Sequence, residues 1–207
     1  MSDQAQAAKH WDAAYARGDD TRSWYQENPG MSLRMLSAAG VSPADSVIDV
    51  GGGASPLTRE LLDRGFGDLT VLDISGTGMQ HERDRLGSRA GRVHWLTADV
   101  LTWHPGRRYQ AWHDRAVYHF LTSDEDRQQY LRTLNAATAP AAVAVIGCFA
   151  SDGPQHCSGL PVSRYNPEQL ARQLGPGWQL IRQDREEHTT PAGTIQPFTW
   201  IALRRQS

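Results

Sequence analysis

Short runs of Val, Ile and Leu recur along this chain, each bounded by Gly or Asp and separated by segments whose apolar residues fall at helical spacing. The runs are 46–50 (SVIDV), 69–73 (LTVLD), 93–99 (VHWLTAD), 109–114 (YQAWHD) and 142–149 (AVAVIGCF). Continuous apolar runs of this length predict strands buried on both faces. Between the first two, 56–64 (PLTRELLDR) places Leu57, Leu61 and Leu62 on one helical face. Ser55 suits the cap of that helix and Pro56 its first turn, where a missing N–H is no loss. A second helix is predicted over 123–139, with Tyr130, Leu131 and Leu134 on its apolar side. Alternating strand and helix implies a parallel sheet with right-handed crossovers. The ends depart from this rhythm. Segments 5–17 and 31–39 read as helices, and 178–185 and 198–204 as two strands around a turn at 191–193. Segment 151–165 (SDGPQHCSGLPVSRY) is irregular and long enough to suggest a functional loop.

Length and composition narrow the class. The 207 residues fit one domain, with 39% apolar and 21% charged residues, as in ordinary globular proteins. The formal net charge of -2 gives no electrostatic reason to expect a nucleic acid or an anionic membrane as partner. Cys148 and Cys157 form no CxxC pair, so neither a structural zinc site nor a disulfide framework is expected, and no metal is. The polar start and the lack of a long apolar stretch predict no signal peptide or membrane span, with the cytoplasm as the simplest address.

The strongest chemical signal is DVGGGAS, residues 49–55, directly after a strand and before a helix. Glycine there lets the backbone turn sharply and approach a ligand. Such a turn alone also fits a dinucleotide site or no ligand at all, and Pro56 fits a GxGxxG fingerprint poorly. Three further acids sharpen the picture. Asp73 ends the second run, where a carboxylate can accept both ribose hydroxyls. Asp99 ends the third beside Val100, suited to an adenine amino group and ring. Asp114 ends the fourth. Four strand-terminal carboxylates would line the carboxyl edge of the sheet, where ligands of such folds sit.

DVGGGAS, VLDIS, ADV and HDRAVYHFL together resemble the ordered motifs of class I S-adenosylmethionine (SAM)-dependent methyltransferases. The resemblance implies an α/β, Rossmann-like, doubly wound fold: three layers around a seven-stranded sheet, mostly parallel with a C-terminal antiparallel hairpin. It implies that Gly51, Gly52 and Gly53 face the methionine part of SAM and that Asp49 holds its amino group. Asp73 with Ile74 would bind the ribose, and Asp99 with Val100 the adenine. KHWDAAYARG…SWYQENP is similar to segments that close over the cofactor, which assigns residues 1–40 to a helical cap and Trp11 and Trp24 to covering SAM. The stretch from Asp114-Arg115 to Asp126-Arg127 resembles a pattern of thiopurine-type S-methyltransferases, with Ala116 in place of glycine. It adds Asp114 and Arg115 to the cofactor set, although Arg115 could equally pair with Asp114 or Asp126.

The acceptor side is more open. An alcohol or protonated amine needs a base, for which His119 is the best candidate, with Tyr118 as hydrogen-bonding neighbour. Both could instead pack beneath the N-terminal segment. Tyr25, His119, Cys157 and Arg164 are the candidate acceptor contacts, with 151–165 as an acceptor-side loop. A single-domain SAM-dependent methyltransferase acting on a small molecule, a thiol or other soft nucleophile among them, is the leading expectation, as a monomer or homodimer. A protein-lysine methyltransferase is the alternative, followed by a non-catalytic SAM-binding protein. A nicotinamide oxidoreductase is the remaining competitor.

Overall fold

A computed structural model describes residues 3–18 and 21–206. Each predicted buried run forms a strand: β1 (Val47–Val50), β2 (Leu69–Asp73), β3 (Val93–Thr97), β4 (Tyr109–Arg115) and β5 (Thr138–Phe149). β3, expected to be buried on both faces, lies at the sheet edge with only Val93 of its five residues buried, and it stops two residues before Asp99. A two-residue pair, β6 (His156–Cys157) and β7 (Leu160–Pro161), folds the irregular 151–165 segment into a small hairpin. β8 (Trp178–Thr189) and β9 (Ile195–Arg205) run longer than predicted, because the antiparallel ladder continues to the turn, pairing Thr189 with Ile195.

The seven-stranded sheet has the order β3-β2-β1-β4-β5-β9-β8, parallel except where β9 joins β5 and β8. The expected doubly wound sheet with a C-terminal antiparallel hairpin is therefore present. Strand order reverses between β1 and β4, and a crevice opens above their carboxyl ends at such a switch point.

Six α-helices are described: α1 (Asp3–Ala16), α2 (Gly30–Ala38), α3 (Leu57–Asp63), α4 (Gly76–Leu86), α5 (Asp124–Ala137) and α6 (Pro167–Leu174). One face of the sheet packs against α2, α3 and α4 through Met35, Leu57, Leu61 and Met79. The other packs against α5 and α6 through Tyr130, Leu134, Leu170 and Leu174. α2 thus belongs to a helical layer rather than to a cap; α1 and the segment after it perform the covering. α4 escapes sequence inspection because GTGMQHERDRL is polar and glycine-bearing. Ser75 begins it by accepting the Gly78 N–H at 3.0 Å, and Asp12 of α1 accepts from Ser75 Oγ and the Thr77 N–H at 2.6 and 3.1 Å. Capping of α4 by its own sequence and by α1 ties the N-terminal helix to the sheet edge. No described helix is long and apolar enough to cross a membrane.

Candidate active site

The turn after β1 begins with Gly51 at φ 68° and contains Gly53 at φ 33°, conformations that a side chain resists. A Cβ on Gly51 would stand 2.1 Å from Val117 Cγ2, and one on Gly53 would stand 2.0 Å from the Tyr15 hydroxyl. Glycine therefore serves two purposes here, shaping the turn and admitting neighbours from the turn after β4 and from α1.

Above this turn lies a cleft of about 280 Å³. Its floor is formed by Val50, Gly51, Leu72 and Asp73 at the ends of β1 and β2. One side carries Ile74, Asp99, Val100 and Leu101; the other carries Arg115, Val117, Phe120, Cys157 and Leu160. Trp11 and Trp24 roof it, edge to face at 5.7 Å, with Phe120 5.0 Å from Trp11. A smaller recess of about 50 Å³ continues inward along Asp49, Gly51, Gly52, His113 and Arg115, with Arg22 and Tyr25 contributed by the N-terminal segment.

Burial tunes the charges that meet there. Asp73 is 5% exposed and accepts the Ser75 N–H at 2.7 Å. Its desolvation outweighs backbone hydrogen bonds from Ser75 and Gly53, so its carboxyl is pushed up to about 7. The buried Tyr15 phenol lies beside it, raised by burial and by the Asp73 charge. Asp49 Oδ1 accepts from His113 Nδ1 at 2.7 Å, and among the described residues its Oδ2 has no hydrogen-bond partner. Arg115 donates from Nη1 to the Trp24 carbonyl at 2.9 Å and lies over Phe198, while Nε and Nη2 have no hydrogen-bond partner among the described residues. Burial lowers its guanidinium. The Cys157 thiol is raised, chiefly by burial. Asp99 closes its own turn by accepting the Leu101 N–H at 2.9 Å.

Trp11, Trp24, Asp49, Gly51, Gly52, Asp73, Ile74, Asp99, Val100, Arg115, Tyr25 and Cys157 thus line the cleft or its recess, and Gly53 lies beneath Tyr15. Four other expectations need correction. Asp114 lies on the opposite face of the sheet from Asp49, because successive strand residues alternate. It is fully buried, accepting from Tyr130 Oη at 2.6 Å and from the Val117 and Tyr118 N–H groups at 2.9 and 3.1 Å. It holds the turn after β4 instead of lining the cleft. His119 is fully buried among Phe120, Phe149 and Phe198, and desolvation followed by the Arg115 charge pulls its imidazole down to about 3. Tyr118 is equally enclosed, against Tyr130 and Tyr165. Neither ring reaches the cleft lining, which favours the packing role weighed for them. Arg164 donates to the Gly153 carbonyl at 2.9 Å and braces the 151–165 loop.

Tyr15, Arg22, His113 and Phe120 were not picked out from sequence as site residues. His113 carried a usable signal, since it stands one residue before the strand-terminal Asp114 and so faces the other side. Tyr15 and Arg22 depend on where α1 docks. Among the described residues, no three His, Cys, Asp or Glu side chains converge as a metal site requires.

Residues 47–141 match the model of a family described as a methyltransferase domain. A mouse eEF1A lysine and N-terminal methyltransferase is 26% identical over 96% of this chain, which spans 28% of that relative's length. Among solved structures, Burkholderia thailandensis 1,6-didemethyltoxoflavin-N1-methyltransferase, with 1,6-didemethyltoxoflavin and S-adenosylhomocysteine bound, superposes with a TM-score of 0.76 at 20% identity, covering 100% of this chain and 92% of that one. A structure from work on conversion of a disulfide bond into a thioacetal group during echinomycin biosynthesis gives 0.77 at 21% identity, covering 97% and 92%. The chain therefore has a Rossmann-like methyltransferase fold.

Proposed function

We propose that this chain transfers the methyl group of SAM to a small-molecule acceptor, with a thiol or another soft nucleophile as the favoured class. The observation that carries this reading is the cleft over the ends of β1 to β4, where apolar walls alternate with carboxylates and the recess holds unfilled polar atoms. Those residues fit the cofactor in kind. Asp73 and Ile74 would hold the ribose, and Asp99 with Val100 and Leu101 the adenine. The Gly51–Gly53 turn would face the amino-acid tail, with Asp49 taking its ammonium group and Arg115 its carboxylate. Trp11, Trp24 and Tyr25 would close the N-terminal segment over it.

When bound, the cofactor supplies an electrophilic methyl group on a sulfonium, and the protein's part is alignment and exclusion of water. The acceptor side, formed by Trp11, Trp24, Phe120, Cys157, Leu160 and Arg115, is aromatic and apolar with a cation and no carboxylate or imidazole. A protonated amine would find no base there to deprotonate it. A thiolate becomes a neutral thioether in one displacement and leaves no proton to remove. The likeness to a protein involved in forming a thioacetal agrees with a sulfur acceptor.

Protein-lysine methylation is the second reading, favoured by the name of the mouse relative. Following S-adenosylhomocysteine release from SAM across thiols, sulfide, selenols, amines, phenols and a cell extract separates the two. Turnover with a small thiol or selenol is expected. Turnover confined to the extract, with label on protein, would overturn the small-molecule reading, and cofactor binding without turnover on any acceptor would favour a sensor.

A further inference from the structure

Asp49 of β1 and His113 of β4 are register partners on adjacent parallel strands, so their side chains leave the same face of the sheet. Both are buried, at 5% and 2% exposure. The carboxylate accepts, so the 2.7 Å contact puts an N–H on His113 Nδ1, and in that tautomer Nε2 presents its lone pair. Trp200 lies beside that ring at 6.0 Å with an interplanar angle of 31°. Among the described residues neither His113 Nε2 nor Asp49 Oδ2 has a hydrogen-bond partner, and buried polar atoms are seldom left that way. The two residues line one small recess with Arg115, whose Nε and Nη2 are also unmatched. Two acceptors opposite a guanidinium complement the two charges of an α-amino acid.

We propose that His113 is a second binding residue for the ammonium group of the cofactor's amino-acid tail. Its Nε2 accepts one N–H while Asp49 Oδ2 accepts another, and the Nδ1–H bond to Asp49 positions both acceptors. A carboxylate alone would attract the ammonium group; the paired imidazole fixes its direction. The inference rests on SAM being the ligand, and the test separates the two ideas by comparing ligands with and without the tail.

Calorimetric titration with S-adenosylhomocysteine and with 5′-methylthioadenosine, which keeps the adenosine and thioether but has no amino-acid group, makes that comparison. His113→Phe preserves a ring against Trp200. It is expected to weaken S-adenosylhomocysteine by about 10- to 100-fold, the range for a hydrogen bond to a charged group, and to leave methylthioadenosine within about 3-fold. His113→Gln, which retains a donor and an acceptor, is expected to restore part of the loss. Equal weakening of both ligands would reduce His113 to a structural role, and unchanged S-adenosylhomocysteine affinity would overturn the inference outright. Wild-type protein that binds neither ligand would instead overturn the cofactor reading on which it stands. If His113→Phe fails to fold, imidazole ¹⁵N spectra of the wild type decide. The Nε2 signal is expected to shift on adding S-adenosylhomocysteine and to stay in place with methylthioadenosine, and the same response to both would refute the proposal.

Discussion

Replacing Asp73 by Asn tests whether a single carboxylate is held at the site at the expense of stability. In the folded protein this carboxyl is pushed from an ordinary value near 3.8 to about 7, mainly by burial under α1 and the Tyr15 phenol. The folded state then keeps a proton that the unfolded chain releases. The associated stability is complete below about pH 4 and is lost as pH rises through about 7. Carried through the linkage relation, the change amounts to about 4 kcal/mol by pH 8, of which about 2 to 3 kcal/mol falls between pH 5 and pH 8. For a chain of this size that corresponds to a fall in melting temperature of about 5 to 10 °C. Asparagine stays neutral, so Asp73→Asn should lack this component of the decline. Melting ligand-free wild type and variant side by side at pH 5 and pH 8 isolates the effect, because the other titrating groups cancel in the difference. Parallel pH dependence in the two proteins would refute the desolvation argument. The same substitution should weaken S-adenosylhomocysteine by about 10- to 100-fold, since an amide replaces the carboxylate assigned to the ribose hydroxyls. Gain of stability at pH 8 together with loss of affinity is the combined signature; unchanged affinity would remove Asp73 from the site.

Substitutions at two further positions probe the turn after β4. Ala116 sits at φ 68°, a left-handed conformation costing an alanine about 1 to 2 kcal/mol, so Ala116→Gly should stabilise by up to about 1 kcal/mol once the greater freedom of the unfolded glycine is counted. A thermal melt that falls by several degrees would show that the methyl group packs favourably enough to outweigh the strain. His119→Ala should cost about 2 to 4 kcal/mol through the void left among Phe120, Phe149 and Phe198, with cofactor affinity and turnover changing little in whatever protein remains folded. Because its imidazole is held near 3, wild-type stability should fall as pH drops from about 6.5 toward 3, and His119→Phe should flatten that slope. A selective loss of turnover in either His119 variant, with normal stability, would return His119 to a catalytic role.

Local chemistry determined much of this protein without reference to its fold. Five strands could be seen in the sequence because Val, Ile and Leu crowd into runs too short for helices and bounded by Gly or Asp, although β3 lies at the sheet edge and is not buried on both faces. The Gly51–Gly53 turn was legible for a similar reason, since glycine between a strand and a helix advertises a backbone that must bend and stay uncovered. Asp73 could be placed from the same rhythm, as could the Asp99–Val100 pair. Orientation across the sheet was decided by tertiary structure. Asp114 ends its run as Asp73 does, yet one step along a strand reverses the face, and Tyr130 of α5 claims its carboxylate. That same step brings His113 opposite Asp49 and leaves two acceptors unfilled in the recess. His119 has the residue type of a base, and three phenylalanines distant in sequence or adjacent to it deny it water and charge. Helix α4 lacked an apolar stripe and needed Asp12 from α1 to complete its start. Residue type and spacing are carried by the chain itself, whereas burial and facing depend on what other segments bring, and these set which acids and bases meet solvent or a ligand.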